Sequence, residues 1–213
     1  WLTGNETWVS AGQNLWDTQV LGQIPKDVNG YPLSLPATIP GTEAPQIVHT
    51  LMMRLDSAYP SGEYVCLYEG DGTLDFQMDA TIASQTPGRI VLNVTPTDQG
   101  IHLRITRSVS GNHIRNIRVI MPGFESTYAA NPWHPTFLDR LRTFKVLRMV
   151  LFMKTLWSTQ ELWEHRPTGT YYSQATERGV AVEYMVDLAN RLMSDVWFCL
   201  PHKATDDYVT RFA

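Results

Sequence analysis

The chain is poor in the features that define many functional classes. It has 2 cysteines in 213 residues, which rules out a disulfide-dense scaffold. Cys66 and Cys199 each sit in an apolar, strand-like run, and the sequence leaves open two buried free thiols or one long-range disulfide. No excess of basic charge is present: the formal net charge is −4, so there is no electrostatic case for nucleic acid or an anionic membrane surface. The longest apolar run, residues 146–152, is interrupted by Arg148 and is far too short to span a bilayer. There is no phosphate loop, no Gly-x-Ser-x-Gly elbow and no dinucleotide fingerprint, so no cofactor is expected. His49, His102, His113, His134 and His165 lack metal-ligand spacing with cysteine. Glu69, Asp71 and Asp75 surround the Gly70-Asp71-Gly72 turn without a full oxygen-ligand loop, and read as a solvated turn; no metal is expected.

What is present divides in two. Residues 46–134 are written in strands. The segments 46–55, 63–69, 74–78, 89–95, 101–107 and 114–121 each read as one, and Ile101, Leu103 and Ile105 alternate with His102, Arg104 and Thr106. That alternation predicts Ile101, Leu103 and Ile105 pointing inward and His102 and Arg104 outward. Turn formers separate the runs at regular intervals, which predicts an antiparallel β-sandwich. Residues 1–45, rich in Gly, Pro and Trp, read as an irregular wrap with one or two edge strands.

From residue 135 the pattern changes. Residues 135–143 read as a helix, and 145–153 as a strand buried on both faces. A polar and aromatic loop covers 154–178, and 179–193 form an amphipathic helix. Residues 196–200 read as a second buried strand, after which Asp206 and Asp207 cap a further helix. Strand, helix, strand, helix is the opening of an α/β barrel or doubly wound sheet. The predicted fold class is therefore mixed: an antiparallel β-sandwich followed by the first, incomplete β/α units of a TIM-type barrel over 135–213. The sequence stops inside the last helix, so further polypeptide, or a neighbouring subunit, is expected beside the parallel pair.

The segments Ile114-Arg-Asn-Ile-Arg-Val-Ile-Met-Pro-Gly123, Trp133-His-Pro-Thr-Phe-Leu138, Val146-Leu-Arg148, Gly179-Val-Ala-Val-Glu-Tyr-Met185 and Trp197-Phe-Cys-Leu-Pro-His202 resemble a family of large secreted proteins. Those proteins pair an N-terminal β-sandwich with a glycoside-hydrolase-like TIM barrel. The resemblance covers roughly residues 60–213. It implies a secreted, polysaccharide-acting or polysaccharide-binding protein whose catalytic carboxylates lie on later barrel strands, so no catalytic residue is assigned here. The chain departs from the family after Arg148, where Met149-Val-Leu-Phe-Met153 replaces polar positions. That departure supports the alternative: a structural, matrix or filament-forming glycoprotein that kept the fold without catalysis.

Four residues are candidates for contact with a sugar. His202 follows a predicted strand directly, at the barrel mouth, where an imidazole can hydrogen-bond a hydroxyl or simply tie down its loop. Arg148 lies inside the first strand and, if buried, needs a partner, for which Glu183 is one choice. Trp157 and Trp163 crowd the loop after that strand, with rings suited to an apolar sugar face or to burial. Asn5 and Asn93 begin the sequons Asn5-Glu-Thr7 and Asn93-Val-Thr95, which can be glycosylated in a eukaryotic secreted protein.

Overall fold

A computed structural model describes residues 6–12 and 15–213. The chain is β-rich with three helices, and it divides between Pro132 and Trp133 into two compact units.

The first unit holds eight strands: β1 (Val9–Ala11), β2 (Ile47–Met52), β3 (Gly62–Glu69), β4 (Gly72–Met78), β5 (Ala80–Thr86), β6 (Arg89–Val94), β7 (Ile101–Ser108) and β8 (Arg115–Ile120). They form two four-stranded antiparallel sheets, ordered β1-β2-β7-β4 and β5-β6-β3-β8. The sheets are held by strands whose apolar residues, clearest at alternate positions of β7, are sealed from water. On β7, Ile101, Leu103 and Ile105 are at most 1 % exposed, and Leu74, Ile90, Leu92 and Tyr64 are equally deep. Gly70 makes the β3–β4 turn possible: its φ is +91°, and a Cβ there would lie 2.0 Å from the carbonyl oxygen of His113.

Two points differ from the sequence reading. His102 does lie on the opposite face of β7 from Ile101, but that face is covered at this point, and His102 is buried. β5 was missed because Ala-Thr-Ile-Ala-Ser-Gln-Thr buries only Ala80; it is an edge strand held by pairing with β6 rather than by apolar burial.

The second unit holds α1 (Pro135–Leu141), β9 (Val146–Arg148), α2 (Val182–Leu192), β10 (Asp195–Trp197) and α3 (Asp206–Phe212). β9 and β10 pair in parallel, Val146 with Asp195, Leu147 with Val196 and Arg148 with Trp197. Both strands are three residues long, shorter than the apolar runs that contain them, and neither is buried on both faces. Leu147 and Val196 pack toward the core of Met149, Met153, Met185, Leu188 and Leu192, whereas Val146 and Trp197 are more than half exposed. The reason is that α2 covers one face of this two-stranded ribbon and leaves the other bare. α2 ends with Met193 in the left-handed conformation, φ 51°, and the side chain 89 % exposed. α3 is capped by Thr205, whose hydroxyl accepts from the Tyr208 N–H; Asp206 and Asp207 occupy the first turn instead.

Candidate functional site

Because β9 and β10 are parallel, the segments that follow them leave from the same end of the ribbon. The backbone ties those segments together. Met149 N–H donates to the Trp197 carbonyl at 3.0 Å, and Thr205 N–H to the Glu161 carbonyl at 3.0 Å. The Thr155 hydroxyl donates to the Cys199 carbonyl, and the Cys199 N–H meets Met153 Sδ at 3.2 Å. Gly179 turns the chain back toward α2 with φ +82°, and Val180 N–H reaches the Phe152 carbonyl at 2.7 Å. Gln174 Oε1 accepts from the Ala181 N–H, holding the entry to α2, which has no side-chain cap of its own.

Between these segments lies a small cavity of about 20 Å³, lined by Met153, Gln160, Arg166, Arg178, Pro201 and Tyr208 among others. Arg166 lies with its guanidinium 4.1 Å from the Trp163 ring centre and donates to Glu183 Oε1 at 2.9 Å. Arg178 lies 5.0 Å from the Tyr171 ring centre. Burial raises the pKa of the Tyr208 phenol, with Arg166 pulling the other way, so the hydroxyl keeps its proton at neutral pH.

The four predicted sugar-contact residues are placed differently from one another. Trp157 is 92 % exposed, with φ 63°, beside the exposed Leu156. Trp163 is half-buried; its ring meets Tyr208 and Phe212 edge-on and its face is taken by Arg166, so it is part of the packing. His202 is exposed and forms no side-chain hydrogen bond among the described residues. Arg148 is exposed rather than buried, stacks 4.9 Å from the Trp197 ring centre, and leaves Glu183 to Arg166. Asn93 projects from β6 into solvent, opposite Glu63 and Thr81; Asn5 lies outside the described residues. Cys66 is fully buried and Cys199 half-buried, both free.

The sequence reading missed Gln160, Arg166, Arg178 and Trp197. Two of them had a local signal, since Arg166 follows Trp163 by three residues and Arg178 follows Tyr171 by seven, within a loop read only as polar and aromatic.

The first unit has its own buried polar cluster. His49 and His102, diagonal neighbours on β2 and β7, share a hydrogen bond of 3.0 Å between Nδ1 and Nε2. Trp16 lies over both rings, and its carbonyl meets His49 Nε2 at 2.8 Å. Burial lowers both pKa values, that of His102 to about 4, with the His49 imidazole and Arg104 adding to the effect at His102. Elsewhere Asp79 accepts from the Tyr59 and Thr97 hydroxyls and the N–H groups of Thr97 and Gly100. Burial alone would raise its pKa; those bonds outweigh it and lower it. Among the described residues no three His, Cys, Asp or Glu side chains are grouped to hold a metal ion, and no helix is long and apolar enough to cross a membrane.

No protein-family profile, curated protein or solved structure matches the chain.

Proposed function

We propose that the chain is part of a secreted, glycoside-hydrolase-like protein that holds polysaccharide, with its two antiparallel sheets as a β-sandwich and β9-α2-β10 as the opening of a TIM-type barrel. The observation that carries this reading is the exposure of aromatic rings on the β9/β10 unit. Trp157 is 92 % and Trp197 58 % exposed, the latter with the Arg148 guanidinium over one face of its ring. Exposed indole faces bind the C–H-rich faces of pyranose rings, and a neighbouring guanidinium supplies directional hydrogen bonds. His202, exposed on the loop after β10, adds a second polar contact. Catalytic carboxylates of such a barrel belong to other strands. The chain is therefore expected to release no reducing sugar from a broad polysaccharide panel; turnover abolished by one Asp or Glu substitution would reverse this. Secretion from a eukaryote would allow a glycan at exposed Asn93, seen as a mass shift on enzymatic deglycosylation.

Affinity electrophoresis in soluble glycans tests the binding. Trp157→Ala and Trp197→Ala should each weaken retention by roughly 2- to 10-fold, the range of an aromatic contact. Retention unchanged in both would remove the sugar platform.

A second reading, a matrix or filament glycoprotein, is favoured by one observation. Leu151, Leu156, Trp157 and Met193 are each at least 68 % exposed, an apolar display more typical of a surface covered by protein. It predicts that acrylamide quenching of tryptophan falls as protein concentration rises.

A further inference from the structure

The cavity at the ends of β9 and β10 combines three facts that internal packing does not explain. Gln160 is only 6 % exposed, yet its Oε1 has no hydrogen-bond partner. Arg166 Nε is buried and likewise unpartnered, although the far end of the same guanidinium is paired with Glu183. Arg178 lines the same space half-buried and makes no ion pair among the described residues. Unmade hydrogen bonds of buried polar groups are costly, so two of them beside an unpaired guanidinium in one cavity favour the binding of a polar group there.

The charges say what kind of group it is. Of the two guanidiniums at the cavity, Arg166 is paired with the one carboxylate, Glu183, and Arg178 with none among the described residues; Glu161, the acidic residue next to Gln160, is turned toward Lys203 at 3.9 Å. The surplus is one positive charge, which a monoanion neutralises. The volume, about 20 Å³, admits a single oxygen-sized group and leaves the remainder of the ligand outside. A planar carboxylate, offering one oxygen inward and one toward the rim, suits a guanidinium fork. The Gln160 amide can turn over, exchanging Oε1 for Nε2, and so becomes a third donor.

We infer that this cavity is a carboxylate subsite, formed by Arg166, Arg178 and Gln160, that takes the acid group of a uronate-type sugar. The uronate identity rests on the polysaccharide reading above; the carboxylate site does not. Positive charge and donors at a strand-end cavity then select acidic over neutral polysaccharide.

The test uses the full chain and amide-resolved NMR titration with glucuronate, glucose, acetate and inorganic phosphate. Glucuronate should shift the Gln160 side-chain amide and the Arg166 and Arg178 Nε–H signals, with glucose silent and affinity falling as salt is raised. Arg178→Gln should weaken glucuronate by at least about tenfold, the worth of one charged hydrogen bond. Gln160→Glu builds the carboxylate into the cavity, and should abolish glucuronate binding while keeping the native spectrum. It guards against an uninformative loss of fold in the arginine variant. Acetate and glucuronate shifting the same signals with equal affinity would keep the carboxylate site and overturn the sugar. Tighter phosphate than glucuronate would overturn the monocarboxylate assignment. Shifts absent with every probe, or glucuronate binding unchanged in Arg178→Gln and Gln160→Glu, would overturn the subsite, whereas neutral-glycan retention lost only in the Trp157 and Trp197 variants concerns the platform alone.

Discussion

Leu103 in the first unit and Leu188 in the second are each 1 % exposed, yet they reach that state by different means. Leu103 sits in the middle of an eight-residue strand paired on both sides, with Thr50 and Phe76 as its partners. The pleat alone decides which way it points, and a slip of one residue would expose the whole buried row. Leu188 sits on a helix laid against three-residue strands, and the loops that close over its core are fixed by single backbone bonds such as Val180 N–H to Phe152. In the first unit placement is distributed along ladders; in the second it depends on a few loop positions. In the second unit it is likewise loops rather than ladders that bring Gln160, Arg166 and Arg178 to one cavity.

Four substitutions or titrations sharpen that contrast. Leu103→Ala should have the largest effect, a loss of roughly 2–5 kcal/mol read from the denaturation midpoint, because the ladder cannot collapse into the void. An unchanged midpoint would break the assignment of β7 as a central strand. Gly179→Ala should cost about 1–3 kcal/mol through one backbone position, since φ is +82° and the new Cβ would lie 2.3 Å from the Phe152 carbonyl oxygen. The loss should appear as faster hydrogen exchange at Val180 and in α2. If α2 stays protected, the loop at Gly179 does not hold the helix in place.

The third is a titration of the histidine pair. His49 and His102, facing Trp16, Asp17, Arg104 and Asp75, hold fewer protons folded than unfolded because their native pKa values are lowered. Stability is then full above the ordinary histidine pKa of 6.5 and is lost as pH falls from 6.5 toward about 4, where His102 protonates in the native state. Denaturant midpoints across that window should fall with acidity, and His102→Gln should flatten the slope. Asp79, with its lowered pKa, acts in a lower window, its contribution fading as pH drops through and below 3.8. The smallest effect is expected at Met193→Gly: relieving a left-handed non-glycine residue at a helix end, less glycine's extra chain entropy, should stabilise the second unit by roughly 0.5–1 kcal/mol.

Much of the first unit was legible because its strands alternate. Ile101, Leu103 and Ile105 announce a buried row by period alone, and the turns between strands carry Gly, Pro and Asn. What period cannot show is what lies over the other face. His102 reads as solvent-facing because nothing in 101–107 reveals that Trp16, some 86 positions away, covers it. In the second unit the apolar runs around β9 and β10 were visible but their depth was not. A run of apolar residues looks the same whether it is sealed on both faces or, like Leu151 at 73 % exposure, left at the surface. The candidate site was half legible: its location after the two strands followed from parallel order. Its arginines belong to a loop whose conformation is set by backbone hydrogen bonds that leave no periodic trace.

Cys66 has a practical consequence. Its thiol is wholly enclosed within β3, between β6 and β8, and burial holds it far from ionisation. The thiolate is the species that reacts with alkylating reagents, so the native first unit should ignore them. Half-buried Cys199 gives no such shelter. In a Cys199→Ser background the chain thus carries a single intrinsic chemical clock: the rate at which Cys66 is labelled at increasing reagent concentration would count how often the β6-β3-β8 ladder opens, without any dye, probe or added tag.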